Sequence, residues 1–354
     1  MSRSPNKAGL RSAVASPILL ILGLVILSGV AYAAGGNLPA TVTELLVYVV
    51  LVVGLQIFIG NSGIVSFGHI VFGLVAAYAS TWQTCCSGLK SFYMPGLPAF
   101  LLDNSIPVLP AALLAGLVAV LFALVIGVPL MRLSGIASGI ALFGVLAMVK
   151  AVYETWDGWT AGTSSIIGLP RYVDLPVALG AASAAIVIAF LFRNSRYGLM
   201  LRAAREDEVA ARAAGIPVVR LRILAHLVSA FVIGIGGVLY VHYIGTISVD
   251  VFWLDMTFLT LAMLVVGGLR SVTGAVVGVV LVRLVTELLR LLEDGVGIGG
   301  HVLVFPPGSQ QAALAIVLLV ILLFRPEGLY GSRELTWPIG RPRAGSGKSE
   351  ETSP

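Results

Sequence analysis

The sequence predicts an all-α polytopic membrane protein of about ten spans, some discontinuous, with both termini in the cytoplasm. Three observations lead there. Of 354 residues, 58% are hydrophobic and 11% charged, with a mean hydropathy of +1.00, whereas a soluble domain carries roughly 25% charged residues. Apolar runs of about 17–25 residues recur, each long enough to cross a hydrocarbon core of roughly 30 Å. The basic residues cluster between those runs, as expected of the cytoplasmic loops of a membrane protein.

The first residues, MSRSPNKAGLR, are polar and basic, and an apolar run follows over 16–34. Ala31-Tyr32-Ala33 imitates a cleavage site, so the run reads either as a signal peptide or as an uncleaved first span; the number of later spans favours the second. A second run, 45–60, leads into GNSGIVSFGH (60–69), after which 70–79 is apolar again. Glycine and small hydroxyl residues at membrane depth predict an interrupted helix, tolerated only where the backbone is buried in protein or lines a water-filled cavity. Residues 81–110 form a polar, proline-containing outer loop whose one basic residue is Lys90. Three spans follow at 111–130, 136–152 and 177–192, the last two joined by a Trp- and Gly-rich outer loop.

The sixth span delivers the most charged stretch of the chain, Arg193–Arg222, with seven arginines around Glu206, Asp207 and Glu208. Beyond it come apolar runs at 223–243, 252–268, 272–292 and 312–324. Threaded this way, 17 of the 22 Lys and Arg fall on the cytoplasmic side, the exceptions being Lys90, Lys150, Arg171, Arg283 and Arg290. The chain thus divides into a cytoplasmic tail (1–15), a membrane domain (16–331) carrying the cytoplasmic loop 193–222, and a flexible Pro/Gly/Ser-rich tail (332–354).

Net charge +5 and a pI near 9.4 follow from this topology and do not indicate nucleic acid. Cys85 and Cys86 are adjacent, without metal-ligand spacing, and read as two ordinary thiols, with a vicinal or intermolecular disulfide as the alternatives. Residues 197–214 favour a single helix, stopped by Gly215-Ile216-Pro217. Val209, Ala213 and Ile216 share one side of it, Arg205, Glu208 and Arg212 stand at ion-pair spacing, and small alanines allow close approach. Such a helix either docks a partner or lies solvated at the interface and fixes topology.

The interruption supplies Asn61, Ser62, Gly63, Ser66, Gly68 and His69, half-helix ends and polar groups suited to a small solute on a translocation path. The plainer reading is a glycine-lined helix contact. Thr160, Gly162 and Thr163, in WTAGTSSIIG, belong either to a re-entrant element facing that path or to an ordinary outer loop. Arg283, Glu287, Arg290 and Asp294 follow one another at steps of four, three and four, as an ion-pair ladder near the outer interface would. The chain has no G-x-x-x-x-G-K-S/T phosphate loop. Its four histidines, His69, His226, His242 and His301, form no catalytic or metal constellation.

The string from Glu208 through Ala210 and Ala211 to Gly215 resembles the E-A-A-x-x-x-G loop of ABC importer permeases, departing from it where Val209 separates the acid from the alanine pair. The longer stretch SRYGLMLRAAREDEVAARAAGI (195–216), together with GNSGIVSFGHIVF (60–72), VGGLRSVTGAVVG (266–278) and FRPEGLYG (324–331), resembles the LivM type of branched-chain amino-acid permease from about residue 42 to 331. The resemblance implies coupling to ATPases through Arg202, Arg205, Glu206, Asp207, Glu208, Ala210, Ala211 and Gly215. It also implies a heterodimer with a second related permease, two cytoplasmic ATPases that bind the ATP and Mg, and an extracytoplasmic solute-binding protein. This chain would then hold no cofactor, catalyse nothing, and work by alternating access in the bacterial cytoplasmic (inner) membrane. Branched-chain or other amino acids are the expected cargo, although urea and other small-solute importers share the family. An ion-gradient-driven transporter is the competing class; it needs ionisable groups in the mid-membrane path, and only Arg283 and Glu287 qualify.

Overall fold

The computed structural model describes residues 7–86, 88–133, 135–293, 296–298, 301–303, 315–316, 319–320, 323–325 and 327–335. Eleven helices matter here: α1 (Lys7–Ala34), α2 (Leu38–Ser62), α3 (Val71–Thr84), α4 (Val108–Leu130), α5 (Ile136–Thr155), α6 (Leu175–Asn194), α7 (Arg196–Glu206), α8 (Glu208–Ala213), α9 (Val218–Ile244), α10 (Leu254–Gly267) and α11 (Val272–Glu293). Among the described residues, eight stretches are long and apolar enough to cross a membrane: α1, α2, α4, α5, α6, α9, α11, and α10 with its preceding 3-10 turn. The expectation of about ten also counted α3, whose 14 residues rise only about 21 Å, and the run 312–324, which lies largely outside the described residues.

α2 is the centre of the bundle. From Val42 to Ser62 all but Glu44 are buried, as expected of a helix that is apolar around its whole circumference. Its neighbours come close because they are built from small residues, which replace a hydrophobic driving force between helices inside lipid. A Cβ at Gly54 would lie 2.7 Å from Ile233 Cγ1 of α9, and one at Gly236 of α9 would lie 2.6 Å from Leu51 Cδ2. Ser229 of α9 donates to the Gly54 carbonyl at 2.8 Å. α4 turns Ala115, Ala119, Ala123 and Gly127 inward at steps of four, while Leu109, Leu113, Leu117, Leu121 and Leu124 are exposed. α6 repeats the device with Ala178, Ala182, Ala185 and Ala189. Outward leucines and inward alanines mark a surface made for hydrocarbon.

One end of the bundle carries Arg193–Arg222 and is called here the basic end. At the far end Ile166–Ile167 pairs antiparallel with Thr246–Ile247. There the structure also joins Cys85 to Cys86 in a disulfide just after α3, in place of the two thiols expected from the sequence.

The basic end is closed by the segment 327–335. Leu329 and Tyr330 donate to the carbonyls of Val266 and Gly267 at 2.9 and 3.0 Å, and Gly328 abuts Gly268, where a Cβ would lie 2.7 Å from the Gly268 nitrogen. Glu334 then caps α11, accepting from the backbone nitrogens of Val272 (2.9 Å) and Thr273 (3.0 Å) and from the hydroxyls of Ser271 and Thr273. It also pairs with Arg193. Residues 332–335, assigned from composition to a flexible tail, are therefore part of the packed body, because a carboxylate at a helix N-terminus satisfies donors that have no intrahelical partner. Glu334→Ala should cost about 1–3 kcal/mol by orphaning those donors. Thermal unfolding of the detergent-solubilised protein checks this: E334A lowers the midpoint, and the exposed Glu327→Ala leaves it unchanged.

Candidate functional site

Two irregular features at the basic end meet: the break after α2 and the charged unit α7–α8. Gly63 terminates α2 with φ +74°, donating to the Ile59 carbonyl at 2.9 Å, a left-handed cap that glycine adopts without a Cβ penalty. The chain then runs without helix until Ile70. Asn61 and Ser62 donate back to the carbonyls of Ile57 and Phe58 at 2.8 and 2.7 Å, and Ser62 Oγ accepts from Ile64 N at 3.2 Å. Gly68 lies against α5, where a Cβ would be 2.1 Å from the Leu142 oxygen, and Gly139 of α5 stands in the same relation to the Val65 oxygen. Beyond the exposed Gly63 the interruption is thus packed within protein, one of the two settings that irregular backbone at membrane depth tolerates.

His69 closes the break. Its Nδ1 shares a hydrogen bond of 2.6 Å with Ser66 Oγ. Its ring packs among Phe58 (4.6 Å between centroids), Phe72 (5.6 Å) and His226 of α9 (5.1 Å). Both histidines are buried, and among the described residues His69 Nε2 and both His226 nitrogens have no hydrogen-bond partner. Nothing in the sequence pairs His226 with His69, 157 positions away; only the packing of α9 on α2 does so.

The single helix expected over 197–214 is two. Asp207 is extended (φ −151°, ψ 106°) and accepts from Ala210 N at 2.9 Å, ending α7 and capping α8. An aspartate offering its carboxylate to free amides two or three residues on competes with helix continuation, which composition alone does not reveal. Of the expected ion pairs, Glu208–Arg212 forms at 2.6 Å, and Glu208 also holds Arg222 of α9 at 2.7 Å. Burial raises the pKa of Glu208, but the hydrogen bonds from Arg212 and Arg222 outweigh it and hold the group below the usual carboxylate range. This contact is therefore present at neutral pH and is lost only as pH falls through that depressed pKa. Arg205 does not pair with Glu208. It turns inward, donating from Nη1 to the Gly60 carbonyl at 2.6 Å and from Nη2 to Glu206 at 2.7 Å.

Arg202 donates to the Arg193 carbonyl at 3.2 Å, and burial, with Arg193 and Arg205 close by, lowers its pKa. Ala211 packs with Ala204, Val218 and Ile216, Ala210 is exposed, and Gly215 makes an open left-handed turn at φ +80°. Gly60, in the first of the four sequence motifs along the chain, touches two of the others: it accepts from Arg205, and a Cβ there would lie 2.7 Å from the Leu269 oxygen. The loop holding Leu269 is the one onto which 328–331 docks.

Thr160, Gly162 and Thr163 are not brought to this junction. Thr160 is buried at the far end of α3, bonding to the carbonyls of Tyr153 and Trp156, and Trp82 in the last turn of α3 donates to the Trp159 carbonyl at 2.8 Å. Gly162 (φ +60°) covers Asp157, and Thr163 is exposed. The length of α3, about 21 Å, separates them from His69. The ladder on α11 is also rearranged. Glu287 pairs with Arg290 at 2.6 Å, whereas Arg283 pairs with Glu44 of α2 and lies 5.2 Å above the Tyr48 ring; Asp294 lies outside the described residues. Among the described residues, no group of three or more His, Cys, Asp or Glu is placed to hold a metal ion.

Residues 37–324 match the model of a family described as "Branched-chain amino acid transport system / permease component". The chain belongs to that family. Two relatives are high-affinity branched-chain amino acid transport system permease proteins LivM: that of Escherichia coli K12 is 25% identical over 336 residues, covering 88% of this chain and 73% of the relative. That of Salmonella typhimurium is 23% identical over 343 residues, covering 87% and 73%. A probable LivM permease of Methanocaldococcus jannaschii is 28% identical over 146 residues, covering 41% of this chain and 42% of the relative. No solved structure matches. As a permease component, the chain is a transport subunit and not an enzyme.

In this permease the contact between the break and α5 leaves no room for a methyl group. Gly68→Ala should cost about 1–3 kcal/mol by overpacking against backbone that cannot rotate away. Gly144→Ala, on the same α5 but with open space around it, should be neutral; equal unfolding midpoints for the two variants would show that the contact is loose.

Proposed function

We propose that this permease forms one half of the pore of an ATP-binding-cassette importer that carries branched-chain amino acids across the bacterial inner membrane. The carrying observation is a protruding two-helix unit, α7–α8, between two long spans of a chain that matches the permease family over 37–324. Its tip residue Val209 is 79% exposed while its base is tied into the bundle. An exposed apolar tip on a charged, alanine-rich unit fits a cleft in a partner ATPase.

The basic end faces the cytoplasm in this reading, with both termini on that side and about ten spans; the bias of 17 of 22 Lys and Arg supports it. A second, related permease completes the pore as a heterodimer. Two ATPases bind ATP and Mg, and an extracytoplasmic binding protein delivers the solute to the far end. The membrane domain spans 16–331 with its coupling loop at 193–222, extended by the docked residues 332–335. Asn61, Ser62, Gly63, Ser66, Gly68 and His69 border the inner part of the path. Thr160, Gly162 and Thr163 border its outer part. The choice of amino acid rests on the transport systems to which the relatives belong; the low charge of the spans agrees with a small zwitterionic cargo.

In proteoliposomes containing the permease pair, its ATPases and the binding protein, labelled leucine should enter only with ATP. Isoleucine and valine should compete and urea should not, and collapsing the proton gradient at constant ATP should change nothing. Val209→Asp should abolish co-purification of the ATPase while leaving the unfolding midpoint of the permease unchanged. If the ATPase is retained and uptake is normal, α8 is not the docking element.

A further inference from the structure

The side chain that joins the two halves of the site has every edge committed. Arg205 lies in the last turn of α7. Its Nη1 donates inward to the Gly60 carbonyl at 2.6 Å, in the last turn of α2, where free carbonyls and the helix dipole attract a cation. Its Nε and Nη2 both grip Glu206 Oε1, at 3.1 and 2.7 Å, on the outer face. Its aliphatic stem rests on Gly63, where a Cβ would stand 2.4 Å from Arg205 Cγ. Glu206 is exposed and adjoins the Asp207 bend that leads into α8.

What lies on either side of this clamp differs. The N-terminal half of α7 is fixed to α6: Ser195 caps it, a Cβ at Gly198 would lie 2.3 Å from the Phe192 oxygen, and Arg202 holds the Arg193 carbonyl. Inward of Gly60, the chain breaks, packs its backbone on α5 at Gly68, and reaches His69 and α3. α8 is therefore joined, through the Asp207 bend and Glu206, to a charge-assisted contact at the end of α2 and to the interruption next to it.

We infer that Arg205 is the transmission residue of this permease, a positioning group that links movement of the ATPase-docked α8 to the α2 break, so that its loss uncouples ATP hydrolysis from solute movement. This rests on the importer reading above. Lysine can supply the charge and one hydrogen bond but cannot hold Gly60 and Glu206 together in a planar fork; it should restore transport only partly.

The test uses the full complex in proteoliposomes, measuring labelled leucine uptake and ATP hydrolysis together for wild type, R205A, R205K, E206Q and, as a control for charge loss, R196A, whose exposed guanidinium bonds Tyr197 of its own helix. The expected result is a fall in leucine carried per ATP of about tenfold in R205A, the scale of a lost coupling contact. R205K and E206Q should be intermediate, and R196A should match wild type. If R205A does not assemble, R205K and E206Q decide by the same ratio. A ratio that stays at the wild-type value in these variants, whether or not both rates fall, overturns the inference and leaves the importer reading standing. Uptake by the wild-type complex that does not need ATP overturns the importer reading itself.

Discussion

A helix that stops inside a bundle leaves its last carbonyls without partners, and in hydrocarbon no water is at hand to take them up. α2 stops within the bundle at Ser62, after a run that is buried from Val42 onward except at Glu44. Much of the basic end is organised by how that stop is satisfied. Gly63 turns back to Ile59, Ser62 and Asn61 fold onto the preceding turn, and Arg205 reaches in from another element to the Gly60 carbonyl. Because one of these partners is a side chain of α7, the position of a peripheral charged helix is set by the need of a central apolar one.

Close approach is the second requirement, and it follows from the first. A break can be enclosed only if neighbours come to within backbone contact, and side chains longer than alanine prevent that. Hence Gly68 meets the Leu142 carbonyl of α5 and Gly139 of α5 meets the Val65 carbonyl, and Gly267, Gly274 and Gly278 make similar backbone contacts across the α10–α11 hairpin, where a Cβ at Gly278 would lie 2.0 Å from the Met263 oxygen. Enclosure by backbone also carries no charge into the membrane, which is costly there. The exception on α11 is Arg283, which is met by Glu44 and the face of Tyr48.

How much of this was legible follows from what each feature depends on. Spans, the interruption after residue 60 and the basic orientation signal are local properties of composition, and the helices correspond closely to the apolar runs. The division of 197–214 into α7 and α8 hangs on one aspartate choosing to cap rather than continue, a contest that propensities do not decide. Arg205 was placed with Glu208 by spacing along an unbroken helix. Once Asp207 breaks that helix the spacing no longer applies, and Arg205 is free to find Gly60. His226 and Glu334 leave no trace in sequence, since each acquires its surroundings only through packing between elements far apart in the chain. The hydroxyl and glycine residues around Thr160 are visible as a cluster in the sequence, whereas the bonds of Thr160 to the carbonyls of Tyr153 and Trp156 depend on how the turn after α5 folds.

The two helices of the charged unit are tied to different partners, and this bears on how they behave under load. α7 is fixed to α6 through Ser195, Gly198 and Arg202, and to α2 through Arg205. α8 is fixed to α9 through Glu208–Arg222 and the small apolar contact around Ala211. A push on α8 is therefore shared between α9 directly and α2 by way of Arg205. α2 and α9 interlock through Gly54, Gly236 and the bond from Ser229 to the Gly54 carbonyl, so they resist sliding past each other. The non-helical segment between Gly63 and Ile70 has no intrahelical ladder to hold its length; backbone contact with α5, at Gly68 against Leu142 and at Val65 against Gly139, holds it instead. The path from the charged unit to α3 therefore runs through packing rather than through helix, and it begins next to Arg205.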